Sequence, residues 1–275
     1  SDLKVIKDKR VMSTYHSKKA KEFLKDPKKV ERHDRTFWSL RQKRDAAAAE
    51  LPEWEDLREH ASRIKEHTAT HLADYLEQFS NSLERNGVIV HFAKDAQEFN
   101  EMVYGILESH KVKKLVKSKS MLTEECEMNP YLIKRGINVV ESDLGERILQ
   151  LMHLKPAHIV MPAIHLTRDE IGEMFEEKGI SKEKGNHDPT YLTRCAREDL
   201  RGDFMDADAG LTGCNFGVAA TGDCVVCTNE GNADMSTSVP KLHIVAMGIE
   251  KVIPDYDSLA VFQRLLARSG TGQPS

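Results

Sequence analysis

At 275 residues, 40% of them hydrophobic, the chain is long enough to bury a core as one large α/β domain or two modest ones. Its 40 basic and 44 acidic side chains nearly cancel to a net charge of −4, so no global field favours nucleic acid or an anionic membrane, and small molecules or proteins are the expected partners. No apolar run approaches the roughly 20 residues of a membrane helix, the start Ser1-Asp2-Leu3-Lys4 lacks a signal peptide's layout, and the five cysteines are scattered and odd in number, so a cytoplasmic protein with reduced thiols is expected.

Residues 1–86 read as a charged, helical N-terminal extension. The stretch Arg35–Arg44 has few apolar positions and reads as an arm or a partner contact. From Trp54 to Arg85 the spacing predicts one amphipathic helix, with Leu57, Ala61, Ile64, Thr68, Leu72, Tyr75, Phe79 and Leu83 at steps of three and four, stopped by Gly87.

Residues 87–275 change texture to short β-branched runs alternating with amphipathic helices, the pattern of a mostly parallel sheet covered by helices. The predicted strands are Val88–Phe92, Lys114–Lys117, Ile137–Glu141, Ala157–Met161, Phe216–Ala219, Cys224–Thr228 and Leu242–Ala246. Helices are predicted near Ala96–Ser109, Glu124–Arg135, Gly145–Met152, Arg168–Glu177, Tyr191–Met205 and Asp257–Arg268. Thr167 with Glu170 forms a capping-box pattern, Asp143 with Glu146 suggests a second, and Gly136 is a helix stop. Lys178–Pro189 reads as a surface loop, and the polar tail Arg268–Ser275 as the start of a linker.

The densest candidate chemistry lies in Gly210–Asp223 and Thr228–Asn232. There glycines allow close backbone approach, while Asn215, Thr221, Gly222, Asn229, Gly231 and Asn232 could line one side of a ligand pocket at strand ends. Tight hairpin turns that need glycine explain the same residues equally well. Glu230 is the residue assigned any acid, base or nucleophile role. Lys117, Ser118, Lys119 and Ser120, at a strand exit before a helix, could hold a phosphate or carboxylate, although a solvated strand end with Ser120 or Thr123 as N-cap is the commoner use of such residues. Glu141, at a strand end, is an acid that capping does not explain and is kept as a ligand-binding candidate. His165 follows another strand, placed to point into a strand-end pocket, with a buried histidine satisfied by hydrogen bonds as the default reading.

Metal signals are weak. Cys224-Val225-Val226-Cys227 has the Cys-x-x-Cys spacing, but on a strand side chains three apart face opposite ways. His67 and His71 share a helix face without the Glu of a His-Glu-x-x-His motif, and the cysteine run of a ferredoxin-type cluster is absent, so no metal or cluster is expected in this chain.

Several runs together resemble the LutB and YkgF branch of the LUD-domain (lactate utilisation) family: Trp54–Arg58 with Ile64–Glu66, Lys117–Met121, Glu141–Glu146, Met161–Leu166, Gly210–Phe216, Thr221-Gly222, Asn229–Asn232 and His243–Lys251. The resemblance spans nearly all the chain from about Lys28 and implies a fold similar to the NagB/RpiA/CoA-transferase group. It implies membership of a multi-protein system that oxidises L-lactate to pyruvate, with the system's other subunits as partners. It also implies [4Fe–4S] clusters in a C-terminal ferredoxin-like continuation after a segment like Leu266–Gln273. Cys224 and Cys227 stand where such relatives show aliphatic residues and are read as core substitutions. Whether this chain is itself catalytic stays open, an enzyme or binding protein for a CoA thioester or sugar phosphate, acting through Glu230, and a docking scaffold being the alternatives.

Overall fold

The computed structural model describes residues 17–18, 20–156 and 161–273, which divide into two compact units: the described residues up to Glu55 with those from Gln263 onward, and Asp56–Phe262.

The smaller unit is built on a helix over Pro27–Ala49. Asp26 caps it by accepting the N–H groups of Lys28 and Lys29, and Pro27 begins it where a missing N–H costs nothing. Arg35–Arg44, read above as an arm, lies within this helix. At its far end Arg268 donates to the Ala47 carbonyl at 2.8 Å and meets Glu50 at 3.3 Å, while Arg264 pairs with Glu53.

The larger unit is α/β. Four strands, β1 (Lys114–Lys117), β2 (Asn138–Glu141), β3 (Ala209–Gly213) and β6 (Leu242–Ala246), form a wholly parallel sheet in the order β2-β1-β3-β6. Alternation along the strands sends Leu115, Val139 and Leu211 to one face, against Val103 and Leu107 of the helix Ala96–Ser109 and Met128 and Leu132 of Met128–Ile133. Val116 and Val140 go to the other, against Leu200 and Phe204 of the helix Pro189–Met205. Burial on both faces explains why these strands read as apolar runs rather than alternating ones. A second sheet of three strands, β4 (Phe216–Val218), β5 (Asp223–Val225) and β7 (Val252–Ile253), is ordered β5-β4-β7, with an antiparallel β4–β5 hairpin. A third cluster packs Ile148, Met174, Phe175, Leu192 and Cys195 among the helices Leu144–Met152, Arg168–Glu177 and Pro189–Met205.

Several expectations are corrected. Val88–Phe92 is not a strand: it joins neither sheet and leaves Ile89 81% exposed, because β-branched composition without a ladder partner does not make a strand. The helix expected over Glu124–Arg135 is two, Met121–Glu125 and Met128–Ile133, separated by left-handed Glu127. Pro130 cannot continue a helical ladder from the turn before it. The helix expected from Trp54 to Arg85 is interrupted at His71, whose Nδ1 faces the His67 carbonyl at 2.9 Å beside its own backbone N–H. The strand near Cys224 ends at Val225, leaving Cys227 exposed rather than in the core. Asp143 precedes the helix Leu144–Met152 without a side-chain cap bond, so the second capping box does not form. Most of Ala157–Met161 lies outside the described residues. The Thr167–Glu170 box forms, and Gly87 and Gly136 take the positive φ of helix stops.

Candidate functional site

In the parallel sheet the chain leaves β1 toward β2 on one side, and β3 leads to β6 on the other. The carboxyl ends of β1 and β3 therefore flank a topological switch point, where open α/β sheets bind ligands.

The register β1–β2 sets Lys117 opposite Glu141. Alternation turns both side chains to the face of Leu115 and Val139, against the short helices Met121–Glu125 and Met128–Ile133. There the fully buried Lys117 ammonium meets Glu141 at 2.7 Å and Glu124 at 2.9 Å, and Asn129 donates to the same Glu141 oxygen at 2.5 Å. Burial opposes the Lys117 charge, but the two carboxylates outweigh it and hold its pKa above the ordinary value. Burial, with the Glu124 charge, pushes Glu141 up, as expected where two acids share one base.

One turn further on, the Asp143 carboxylate accepts the Lys119 N–H at 2.5 Å, and the Lys119 ammonium pairs with Glu146 at 3.0 Å. Burial raises the Asp143 pKa to about 6; the Lys119 N–H opposes this, and the neighbouring Glu230 adds to it. Glu230 accepts the Leu144 N–H at 3.0 Å, so an exposed carboxylate of the chain occupies the positive N-terminus of the helix Leu144–Met152. Beside it Asn232 donates to Ser142 at 3.3 Å and Ser142 donates to the Lys117 carbonyl at 3.0 Å.

Lys117, Lys119, Glu141, Glu230 and Asn232 are thus brought together, with Ser118 buried in the same loop and Asn229 and Gly231 flanking Glu230. Ser120 caps Met121–Glu125 by accepting the Thr123 N–H at 3.4 Å, its structural reading. His165 lies in the turn after Pro162, whose ring would obstruct a side chain at Gly145 in the site helix. Thr221, Gly222 and Asn215 serve the second sheet instead. Gly222, at φ +80°, turns the β4–β5 hairpin against the Ser82–Leu83 backbone, Thr221 accepts from Asn86 through its carbonyl at 2.9 Å, and Asn215 accepts the Cys227 N–H at 2.8 Å. Glu124, Asn129, Asp143 and Glu146 were not singled out for the site from sequence. A strand-to-helix junction rich in acids was the available signal for the last two.

The LUD domain family model matches residues 76–275. The chain belongs to the LUD-domain family. Among curated relatives, this LUD chain is 47% identical over 235 residues to lactate utilization protein B of Bacillus pumilus, a match covering 85% of the chain and 49% of the relative. It is 45% identical to the protein of that name from Exiguobacterium sp., over 85% of the chain and 49% of the relative, and 44% identical to that of Shouchella clausii, over the same shares. The chain thus spans about half the length of the curated relatives it matches. No solved structure matches it.

Proposed function

We propose that this chain serves lactate utilisation, as the LUD part of a multi-protein system that oxidises L-lactate to pyruvate. Electrons would pass through [4Fe–4S] clusters held in a continuation of the polypeptide, and the other subunits of the system would be its partners. The observation that carries this reading is the likeness to proteins named lactate utilization protein B along 85% of the chain, which leaves about half of their length unmatched. The described residues do not fit a cluster themselves: among them no three His, Cys, Asp or Glu side chains are grouped to hold a metal, whereas such a cluster takes four thiolates. When bound in the continuation, a cluster supplies one-electron transfer; this domain's residues supply binding and proton handling. Asp143, with a carboxyl near pH 6, can give or accept a proton close to neutrality, and the Leu144 N–H can hold an anion's oxygen where Glu230 now sits. The test is to purify the uninterrupted reading frame and this 275-residue chain without oxygen and measure iron and acid-labile sulfide. Iron in the longer product only, at about four or more atoms per chain, is the expected result. A longer product that is iron-free sinks the electron-transfer reading.

A second reading is favoured by Glu230 reaching the helix N-terminus at the switch point: a binding protein or enzyme for a CoA thioester or sugar phosphate. It requires the chain alone to bind such a ligand, and Glu230→Gln to change the affinity. An unchanged titration with Glu230→Gln rejects it and leaves Glu230 a helix cap.

A further inference from the structure

The helix Pro27–Ala49 carries a face that the strand-end site does not use. Pro27, Glu31, Asp34 and Trp38 recur along it at steps of four, three and four, which places them on one side. With Leu24, from the turn before the helix, and Val30 they line a chiefly apolar cleft of about 850 Å³, room for several side chains. Phe37 turns to His33, with ring centroids 4.5 Å apart, and His33 meets Phe23. Trp38 by contrast is 60% exposed and Leu24 65%. Single exposed apolar residues are ordinary on a protein surface, but two large ones facing one cleft, one of them a tryptophan, are the pattern of a docking site.

The described chain ends against the same helix. The helix Tyr256–Thr271 stops at Gly272, at φ +70°, whose N–H reaches the Arg268 carbonyl at 3.2 Å. A Cβ at Gly272 would stand 2.5 Å from the Lys43 carbonyl carbon, so the backbone there rests directly on Lys43 and Arg44. Along the helix Trp38 lies about 8 Å from Lys43 and Val30 about 20 Å, at 1.5 Å per residue. An extended chain covers the longer distance in about six residues.

We propose that this cleft is the docking site of the polypeptide's own continuation, a segment following Ser275 that inserts apolar side chains between Leu24 and Trp38. The inference rests on the reading above, which supplies that continuation, and the match to only 49% of the Bacillus pumilus relative leaves the length for it. Tethering decides for this occupant. A segment held so close acts at roughly millimolar effective concentration, so it fills a contact too weak to retain a second copy or a free partner. Glu31 and Asp34 outnumber Arg35 in the cleft, which favours a segment with basic side chains beside its apolar ones. Arg35–Arg44, marked in the sequence as an arm or partner contact, thereby gains its partner within one polypeptide.

The test purifies the uninterrupted reading frame without oxygen, with the photo-crosslinker p-benzoylphenylalanine in place of Trp38, and maps the peptides joined on irradiation. The expected product is an intrachain cross-link from position 38 to a peptide after Ser275. In the unsubstituted protein, amide exchange across Pro27–Ser39 is expected to be about tenfold slower in the longer product than in the 275-residue chain. A cross-link to a second chain or to the residues before Leu24, or equal exchange in the two proteins, overturns the proposal, and the exchange measurement decides even if the substituted protein does not fold. Iron is measured on the same samples. A longer product that holds iron but does not dock at position 38 overturns this inference alone, whereas one that docks without iron upholds it and sinks the electron-transfer reading. A reading frame that stops at Ser275 overturns both.

Discussion

Asp143 carries a carboxyl that the fold drives toward its neutral form, and replacing it with asparagine gives this a measurable consequence. In the folded chain its pKa is about 6 against an ordinary 3.8, chiefly through burial. Between these values the folded state binds more protons than the unfolded one, so stability falls as pH rises through this window and stays lowered above it. A gap of about 2 units corresponds to about 3 kcal/mol at pH 7.5, which local relaxation reduces to about 1–3 kcal/mol. The asparagine side chain would keep an oxygen for the Lys119 N–H and remove the charge that faces Glu230. Asp143→Asn is therefore expected to stabilise the chain at pH 7.5, with a gain about half as large at pH 5, where the wild-type carboxyl is largely protonated in the folded state. Urea unfolding of both proteins at the two pH values reads this directly. A gain equal at both pH values, or a loss at pH 7.5, refutes the claim that burial of the ionised carboxylate costs the fold energy.

Removing the Lys117 ammonium with Lys117→Met leaves Glu141 and Glu124 facing each other without their base, and an expected loss of about 3–5 kcal/mol in unfolding free energy. The double variant Lys117→Met with Glu141→Leu should recover most of that loss, which a double-mutant cycle in urea would measure. Gly210→Ala, whose new methyl would collide with the Ser236 carbonyl, is expected to cost about 1–3 kcal/mol. By contrast Gly105→Ala, on the open side of the helix Ala96–Ser109, is expected to stabilise by about 0.5–1 kcal/mol, since nothing lies within 4 Å of the added methyl. Thermal unfolding of these two glycine variants side by side checks the contrast.

The helices were largely legible because their signals are local. Ala96–Ser109 and Arg168–Glu177 have the predicted bounds, and caps such as Thr167 with Glu170 are written within a few residues. The strands β1, β2 and β6 were found by their β-branched runs. Strand β3, Ala-Gly-Leu-Thr-Gly, was missed as an element of its own because its small residues answer to the neighbouring helix Asn232–Ser238. A side chain at Gly210 has no room there, so the composition records helix packing rather than strand propensity. The strand-end site was half legible for a similar reason. Lys117, Glu141 and Glu230 stood out as polar residues at strand ends, but their partners Glu124, Asn129 and Asp143 are chosen by strand register and helix docking, which no short window contains.

The charge balance at the strand ends limits what can bind there. Glu124, Glu141, Asp143, Glu146 and Glu230 surround Lys117 and Lys119, and both ammonium groups already have carboxylate partners within 3.0 Å. An entering anion therefore meets excess acid unless a proton enters with it, and Asp143 is the carboxyl whose pKa of about 6 suits it to take that proton. The Leu144 N–H offers the needed positive polarity, but Glu230 holds it. A ligand carboxylate arriving there exchanges one carboxylate for another of the same kind, so the exchange itself yields little net binding energy. Affinity must then come from the rest of the ligand, or from protonation of Asp143 as the second carboxylate arrives. An anion bound with help from Asp143 would bring a proton in with it, a coupling set by the acids that crowd β1 and β2 rather than by any single cationic side chain.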